Sequence, residues 1–288
     1  MSNASPKKKV LITGAMGFTG RHLASLLSRD QTLVLTLSGL SPEANLLNFS
    51  ECDFLNPSSV KGLITESQPD QIYHLIGSYT NEYERDYASN VLSTKHLLDA
   101  VREAGTNSRV LLVGSSAEYG FPDDPTLPVR EIHPLRPVSV YGLVKVYQHT
   151  LAGTYSRLYN MDIVEVRPFN LKGKGISSLL FVGKMEEEIR RYKNGEIQSI
   201  VTGDLSVERD YIDIDEAIKY YRRVQEAGKT GEVYNVGSGK ASSLRDVLSE
   251  MLKVEGLTMD IVKEGKHAVP GKMVVPKLFA DITSLKKL

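Results

Sequence analysis

Several features that mark particular classes of protein are scarce or missing in this sequence of 288 residues. Its single cysteine, Cys52, excludes an intrachain disulfide framework and fits a reducing compartment. Lys and Arg together number 35, as do Asp and Glu, so no net field favours nucleic acid or an anionic membrane. No apolar run approaches the roughly 20 residues of a membrane-spanning helix, and residues 1–9 lack the apolar core of a signal peptide. We therefore expect a cytoplasmic protein without nucleic-acid or membrane partners.

What the sequence does contain is a short apolar strand followed by three evenly spaced glycines. Residues 10–12 predict a buried parallel strand, Gly14, Gly17 and Gly20 follow it, and a helical pattern begins at Phe18. In such a strand–turn–helix unit, backbone N–H groups and the positive end of the helix dipole face a pyrophosphate. A glycine-rich turn with no ligand would show the same triplet, but the flanking strand and helix favour a dinucleotide site. The contacts predicted here are Gly14, Met16, Gly17 and Phe18.

The choice between the two nicotinamide cofactors depends on the residues after the second predicted strand. An acidic residue there would bind a ribose hydroxyl and a basic one a 2′-phosphate. This chain has neither, and a serine hydroxyl there, Ser38 or Ser41, could bond a phosphate, so NADP is slightly favoured over NAD and both stay open. Asp53 is predicted to bond the adenine, with a turn or helix-capping role as the alternative. Leu75, near the end of the strand predicted over 71–77, is a further predicted cofactor contact.

A second group of residues points to proton transfer beside that cofactor. Tyr141 and Lys145 are four residues apart and share one face of a predicted helix. A free tyrosine has a pKa near ~10, and an ammonium a few ångströms away is expected to lower it. Ser115 follows a buried strand, at the edge of the sheet where open α/β folds place ligands. On a wet helix face this tyrosine–lysine spacing is common by chance, but here we expect Ser115, Tyr141 and Lys145 to be catalytic, with both helix residues also contacting the cofactor.

The order of predicted elements indicates an α/β fold. Residues 8–168 predict a Rossmann-like, doubly wound parallel sheet, and residues 169–288 predict a smaller C-terminal α/β lobe with some segments returning to the sheet. A long amphipathic helix is predicted over 87–104. No metal site is predicted.

Taken in order, these motifs resemble the extended short-chain dehydrogenase/reductase superfamily, and within it the GDP-4-keto-6-deoxy-D-mannose reductases that form GDP-D-rhamnose. The resemblance implies reduction of the C4 ketone of a nucleotide-linked 4-keto-6-deoxyhexose, with Tyr141 as the proton donor. It also implies a homodimer formed through helices 87–104 and 141–159. The substrate contacts carried over are Ser116, Glu118, Asn170 and Arg209. The motifs that carry the resemblance are residues 13–20, 74–75, 90–91, 114–120, 135–137, 141–145, 167–170, 207–213 and 231–239.

The resemblance also limits the other activities that the chain could have within this superfamily. Ala117 stands where 4,6-dehydratases have an acid, and Cys52 lies far from the place where epimerase-reductases use a cysteine. A C4 epimerase, a C4 dehydrogenase and a non-catalytic NAD(P)-binding protein stay open. Arg209 is expected to grip the substrate diphosphate, unless it forms a salt bridge with Glu208 or Asp204. Val269 stands where relatives often have a second arginine before a proline.

Overall fold

The computed structural model describes residues 7–40, 48–265 and 273–288, so Val269 lies outside the described residues. Within them, no helix is both long and apolar enough to pass through a lipid bilayer. The strands are β1 (Lys8–Thr13), β2 (Leu33–Gly39), β3 (Phe49–Glu51), β4 (Gln71–His74), β5 (Arg109–Val113), β6 (Ile163–Pro168), β7 (Asn170–Lys172), β8 (Ile200–Thr202), β9 (Glu208–Arg209), β10 (Tyr211–Asp213), β11 (Val233–Val236), β12 (Ser242–Ser243), β13 (Val262–Glu264) and β14 (Lys277–Leu278). The α-helices are α1 (Phe18–Leu27), α2 (Pro57–Ser67), α3 (Tyr83–Tyr87), α4 (Ser93–Ala104), α5 (Val140–Tyr159), α6 (Phe181–Lys193), α7 (Ile214–Ala227), α8 (Leu244–Val254) and α9 (Thr283–Lys286).

Seven parallel strands form the central sheet in the order β11-β6-β5-β4-β1-β2-β3. Strands β2 and β3 extend the sheet to one side of β1, and β4, β5, β6 and β11 extend it to the other side. The strand order therefore reverses between β1 and β4. One apolar layer beneath α1 and α7 covers one face, and a second beneath α2, α4 and α5 covers the other. This arrangement confirms the predicted Rossmann-like α/β class. It places a ligand crevice beside the reversal, at the carboxyl ends of the strands.

The C-terminal half of the chain is divided between this sheet and smaller ones. One segment that returns to the main sheet is β11, which pairs in parallel with β6 and carries Val236 into the core. Elsewhere β7 pairs with β10, β9 lies between β12 and β14, and β8 pairs with β13. Helices α6 and α8 share an apolar cluster with β8. These small sheets stand beside the carboxyl edge of the main sheet.

The helix predicted over 87–104 begins four residues earlier and is interrupted. It consists of α3, a π-helical segment (Ala88–Leu92) and α4. The cause lies in Asn90, whose side-chain amide donates to the carbonyl of Asp86, at 2.8 Å, and to that of Ser78, at 3.0 Å. In an α-helix, the carbonyl of Asp86 would accept from the backbone N–H of Asn90, four residues later. Here the side-chain amide of Asn90 donates to that carbonyl. A π turn is the result, and such turns are frequent at functional sites.

The glycines after β1 allow unusually close approaches of the backbone. Gly14 has a φ of +65°, and a Cβ on it would lie 3.1 Å from the backbone nitrogen of Ile76. A Cβ on Gly20 would lie 2.3 Å from the carbonyl oxygen of Gly14. Helix α1 therefore packs against the turn at a distance that only glycine permits, as the spacing predicts.

We expect Gly20→Ala to lower the free energy of unfolding by about 1–3 kcal/mol, because backbone rather than a mobile side chain would have to move. Urea unfolding measures the change. The matched control is Gly62→Ala, on an exposed part of α2 with no atom within 4 Å of the added Cβ. That variant should gain up to about 1 kcal/mol from helix propensity. Equal stability of the two variants would contradict the proposed packing.

Candidate active site

A cavity of about 990 Å³ opens at the carboxyl edge of the sheet. Strands β5 and β6 end at it, the loop after β4 forms one wall, and α5 forms another. It brings together most of the residues that the sequence singles out for chemistry. The predicted residues that line it are Phe18, Leu75, Ser115, Ser116, Tyr141, Lys145, Asn170 and Arg209.

Beside the cavity, the glycine turn forms a cradle suited to a pyrophosphate. Gly17 precedes α1 as its N-cap, and no side chain caps the first turn of the helix. The turn is held by hydrogen bonds from Ala15 N to Ser38 O (3.1 Å) and from Gly17 N to Gly14 O (3.0 Å). N–H groups at an uncapped helix N-terminus, next to glycines without side chains, are the donors that a dinucleotide pyrophosphate requires. The residues present therefore fit this group.

Two predicted contacts at the adenosine end have other roles in the structure. Ser38 is 0% exposed, and its hydroxyl is buried with no hydrogen-bond partner among the described residues, so this serine does not reach a phosphate. The register of β2 turns this side chain inward. Ser41, the other serine of this stretch, lies outside the described residues. Asp53 is exposed, and its carboxylate accepts from the backbone N–H of Leu55 at 2.9 Å, the turn role named as its alternative. Its contact with adenine stays a prediction.

Ser115 and Tyr141 lie next to each other in the wall of the cavity. Ser115 follows β5 and caps the 3₁₀ turn Ser116–Glu118, where its hydroxyl accepts from Ala117 N at 3.2 Å. Tyr141 stands in the first turn of α5, a helix that Ser139 caps. The ring of Tyr79, from the loop after β4, packs edge-on against the Tyr141 ring with the centroids 4.8 Å apart. These contacts fix the phenol beside the serine hydroxyl.

The expected lowering of the Tyr141 pKa is wrong for this structure. Burial raises that pKa to about 12, and the effect of the Ser115 hydroxyl, which favours the phenolate, is smaller. Lys145 is not among the main causes of this shift: its ammonium lies 5.9 Å from the centroid of the Tyr141 ring and donates to the carbonyl of Val113 (2.9 Å) and to Oε1 of Gln148 (2.8 Å). Burial also lowers the pKa of Lys145 to about 8. At neutral pH the phenol therefore holds its proton, as a proton donor must.

Sequence reasoning missed Asp86, which organises the cavity wall. This residue is 0% exposed, and its carboxylate accepts from the hydroxyl of Ser78, from the backbone N–H and the hydroxyl of Thr80 and from the backbone N–H of Asn81, at 2.7–3.2 Å. Burial raises its pKa, but these donors outweigh burial and hold the pKa below its usual value. The clamp fixes the loop that carries Tyr79. Its sequence signal was two polar residues, Asp86 and Asn90, four apart on one helix face.

Glu118, expected to contact substrate, does not reach the cavity. It is 0% exposed, and its carboxylate accepts from Nε of Arg167 at 2.7 Å and from Ser115 N at 2.7 Å. The 3₁₀ turn points this side chain into the fold while Ser116, two residues earlier, lines the cavity. The prediction of a substrate contact at Glu118 is therefore corrected to a supporting position beneath Ser115.

Arg209 reaches the cavity from the smaller sheets. Its neighbour Asp210 is 0% exposed and accepts from the backbone N–H groups of Ser238, Gly239 and Ala280, at 2.7–3.1 Å, which fixes β9 in place. The Arg209 guanidinium donates to the carbonyl of Glu208 at 2.8 Å.

The alternative salt bridges of Arg209 are not formed. Among the described residues, Arg209 has no carboxylate within ion-pair distance, because the Glu208 carboxylate pairs with Lys277 at 2.8 Å. Arg209 is half-buried, and this loss of solvent lowers the pKa of its guanidinium. A half-buried cation in a cavity wall, with no carboxylate partner in the part of the chain that the structure describes, is chemically suited to bind an anion.

Comparisons with known proteins give matches over most of the chain. A family model described as the NAD dependent epimerase/dehydratase family matches residues 10–237. A GDP-6-deoxy-D-mannose reductase from Pseudomonas aeruginosa is 28% identical over 263 residues, covering 89% of this chain and 83% of the relative. A UDP-glucose 4-epimerase from Mycolicibacterium smegmatis is also 28% identical, over 83% of this chain and 80% of the relative. The solved structure of RMD from Pseudomonas aeruginosa complexed with NADPH superposes with a TM-score of 0.85 at 23% identity, covering 98% of this chain and 92% of that one.

Proposed function

The chain belongs to the NAD-dependent epimerase/dehydratase family, and we propose that it reduces the C4 ketone of a nucleotide-linked 4-keto-6-deoxyhexose. As a member of this family it is an NAD(P)-dependent enzyme. The substrate we propose is of the GDP-4-keto-6-deoxymannose type, because a GDP-6-deoxy-D-mannose reductase is similar over most of both chains. We place the reaction in the cytoplasm, in keeping with the single cysteine.

One observation carries the proposal: the three residues proposed for proton transfer and the guanidinium of Arg209 line one cavity. Ser115, Tyr141 and Lys145 line it together with Arg209. A sugar diphosphate would place its anion on the guanidinium and its ring beside the phenol. The volume of about 990 Å³ lies at the upper end of the range for ligand pockets, as expected of a site shared by a nicotinamide and a nucleotide sugar.

The roles of the residues follow from their protonation. When bound, the nicotinamide supplies a hydride to C4. Tyr141 carries the proton that the C4 oxygen gains, so the ketone becomes an alcohol and the phenol becomes a phenolate. Ser115 donates a hydrogen bond to that oxygen as negative charge develops on it. Lys145, one helical turn away, is the cation that stabilises the phenolate, and we propose that its ammonium also holds the nicotinamide ribose.

A C4 epimerase is the second candidate, since a UDP-glucose 4-epimerase is 28% identical to this chain. An epimerase returns its hydride to the sugar, so it would purify with tightly held oxidised cofactor and need no added NADPH. A C4 dehydrogenase would run the same chemistry in the oxidising direction. Retention of both Tyr141 and Lys145 in the cavity favours an enzyme over a non-catalytic cofactor-binding protein.

We expect Tyr141→Phe to lower kcat for ketone reduction by roughly 10²–10⁴-fold, because the proton donor is lost. The dissociation constant for NADPH should change little, since the ring and its contact with Tyr79 remain. Single-turnover absorbance of NADPH gives the rate, and fluorescence titration gives the affinity. Retention of most of the activity would rule out Tyr141 as the donor.

We expect Arg209→Gln to weaken nucleoside diphosphate binding by roughly 10–100-fold, the value of one or two charge-assisted hydrogen bonds. Thermal shifts with GDP, UDP, dTDP and CDP, each with NADPH present, identify the preferred base, and titration calorimetry gives the affinity. Lys277→Gln is the matched control, because this cation lies on the neighbouring strand and pairs with Glu208. Equal loss in both variants, or no shift with any nucleotide, would count against a diphosphate at Arg209.

We propose a homodimer through the outer face of α3, α4 and α5. Tyr87 packs edge-on against Tyr147 between these helices, and exposed apolar residues continue outward. Sedimentation equilibrium should give twice the 31.9 kDa mass of one chain. Leu158→Glu, on an exposed part of α5, should shift the protein to monomer, whereas Val254→Glu, on an exposed part of α8, should not. A wild-type protein with the mass of one chain would refute this interface.

A further inference from the structure

Four ionisable side chains meet beneath Ser115 and take no part in the reduction steps proposed for Ser115, Tyr141 and Lys145. The side chains of Glu118, Arg167 and Glu165 are 0%, 2% and 7% exposed, and that of His149 is 30% exposed. Nε of Arg167 lies 2.7 Å from Glu118 and 3.3 Å from Glu165, and Nδ1 of His149 lies 2.8 Å from the other oxygen of Glu165. We call these four residues the charge cluster. Arg167 provides its permanent cation, so both carboxylates already have a charged partner.

The charge cluster holds the end of β5 directly. Oε1 of Glu118 accepts from the backbone N–H of Ser115 at 2.7 Å, while its other oxygen faces Arg167. Gly114 is wedged between the two carboxylates, since a Cβ on it would lie 2.5 Å from Glu118 and 2.7 Å from Glu165. The direction in which Ser115 leaves the strand therefore depends on the cluster, and so does the place where its hydroxyl meets Tyr141.

The charges of the cluster do not cancel unless it holds an extra proton. Two carboxylates and one guanidinium leave a net charge of −1, which is costly in a buried site. Burial and the charge of Glu165 raise the pKa of Glu118 well above its usual range, although Arg167 opposes them. The hydrogen bond with Glu165 raises the pKa of His149. The proton belongs to the coupled group rather than to one residue, and His149 is its most exposed member.

The same charge acts on the catalytic pair. Glu118 raises the pKa of Tyr141, and Glu118, Glu165 and Asp86 each raise that of Lys145 against the larger effect of burial. Asp86, on α3, is the remaining carboxylate that acts on both groups. A more negative cluster thus favours the phenol and the ammonium, which are the forms that ketone reduction uses.

We propose that Glu118, His149, Glu165 and Arg167 are positioning residues of the proposed reductase, which hold Ser115 against Tyr141 and stabilise the proton-donating form of the Tyr141–Lys145 pair. This inference rests on the proposed function. Through a shared proton, the cluster links the geometry of the carbonyl-binding hydroxyl to the charge at the donor. A cluster that served only folding would contribute to stability and leave the pH dependence of the reaction unchanged.

The first test is the pH profile of reduction in Glu165→Gln, which removes one negative charge at nearly constant volume and keeps an acceptor for His149. The alkaline limb of kcat/KM should move to lower pH by about 0.5–1 unit, because the ammonium and phenol lose a stabilising charge. Glu103→Gln is the matched control, since Glu103 is an exposed carboxylate on α4 paired with Lys61 at 3.0 Å. Its profile should superimpose on that of the wild type. A Glu165→Gln profile that also superimposes would overturn the proposal, whatever its unfolding free energy.

The second test follows the protonation of His149 itself and does not depend on the rate of catalysis. The His149 imidazole is titrated by ¹H–¹⁵N NMR in the wild-type protein, with His149→Gln used to assign the resonance. It should titrate above ~6.5, the value of an exposed histidine, and move down in Glu165→Gln. Titration at or below ~6.5 in the wild type would overturn the cluster. The expected titration without reduction of any 4-keto nucleotide sugar would refute the proposed function while supporting the charge coupling.

Discussion

Parallel pairing on both sides of β1 is the constraint on which the site depends. Thr13 is in register with His74 of β4, and His74 is in register with Leu112 of β5, so consecutive strands end at one edge. Residues that are far apart in sequence then leave the sheet at the same edge, with about 5 Å between neighbouring strands. The glycine turn after β1, Ser115 after β5 and Asn170 after β6 share a crevice for this reason. The sheet alone brings these three positions to one crevice, and no direct contact between their side chains is needed.

Burial, more than charge pairing, sets the chemistry in that crevice. Tyr141 keeps its proton because the loss of solvent outweighs every neighbouring group that favours the phenolate. The same loss makes the ammonium of Lys145 easier to deprotonate, even with three carboxylates acting in the other direction. Arg209 is the third case, a half-buried cation with no carboxylate in ion-pair distance among the residues that the structure describes. Proton donation and anion binding therefore arise from a single physical cause, applied at different positions along one cavity.

The sequence allowed prediction of those parts of the site that local spacing encodes. The glycine triplet, the tyrosine–lysine pair and the serine at a strand end needed only the periods of a strand and a helix. Glu118 was misplaced because its orientation depends on Arg167, which lies 49 residues later. The raised pKa of Tyr141 was not predictable from a lysine four residues away, because burial is its largest cause and the spacing does not reveal burial. The clamp at Asp86 likewise depends on burial, which a pattern of polar residues only suggests.

The π turn changes which residues of the segment 83–104 lie on the same face of the helix. One residue added to a helical turn rotates everything beyond it by about 100° relative to an unbroken α-helix. A single helical wheel that fits α3 therefore places the residues of α4 on the wrong side of the helix. Tyr83 and Tyr87 follow one phase, and Leu97 and Leu98 follow another. Surface designs on this segment need two wheels, joined at Asn90.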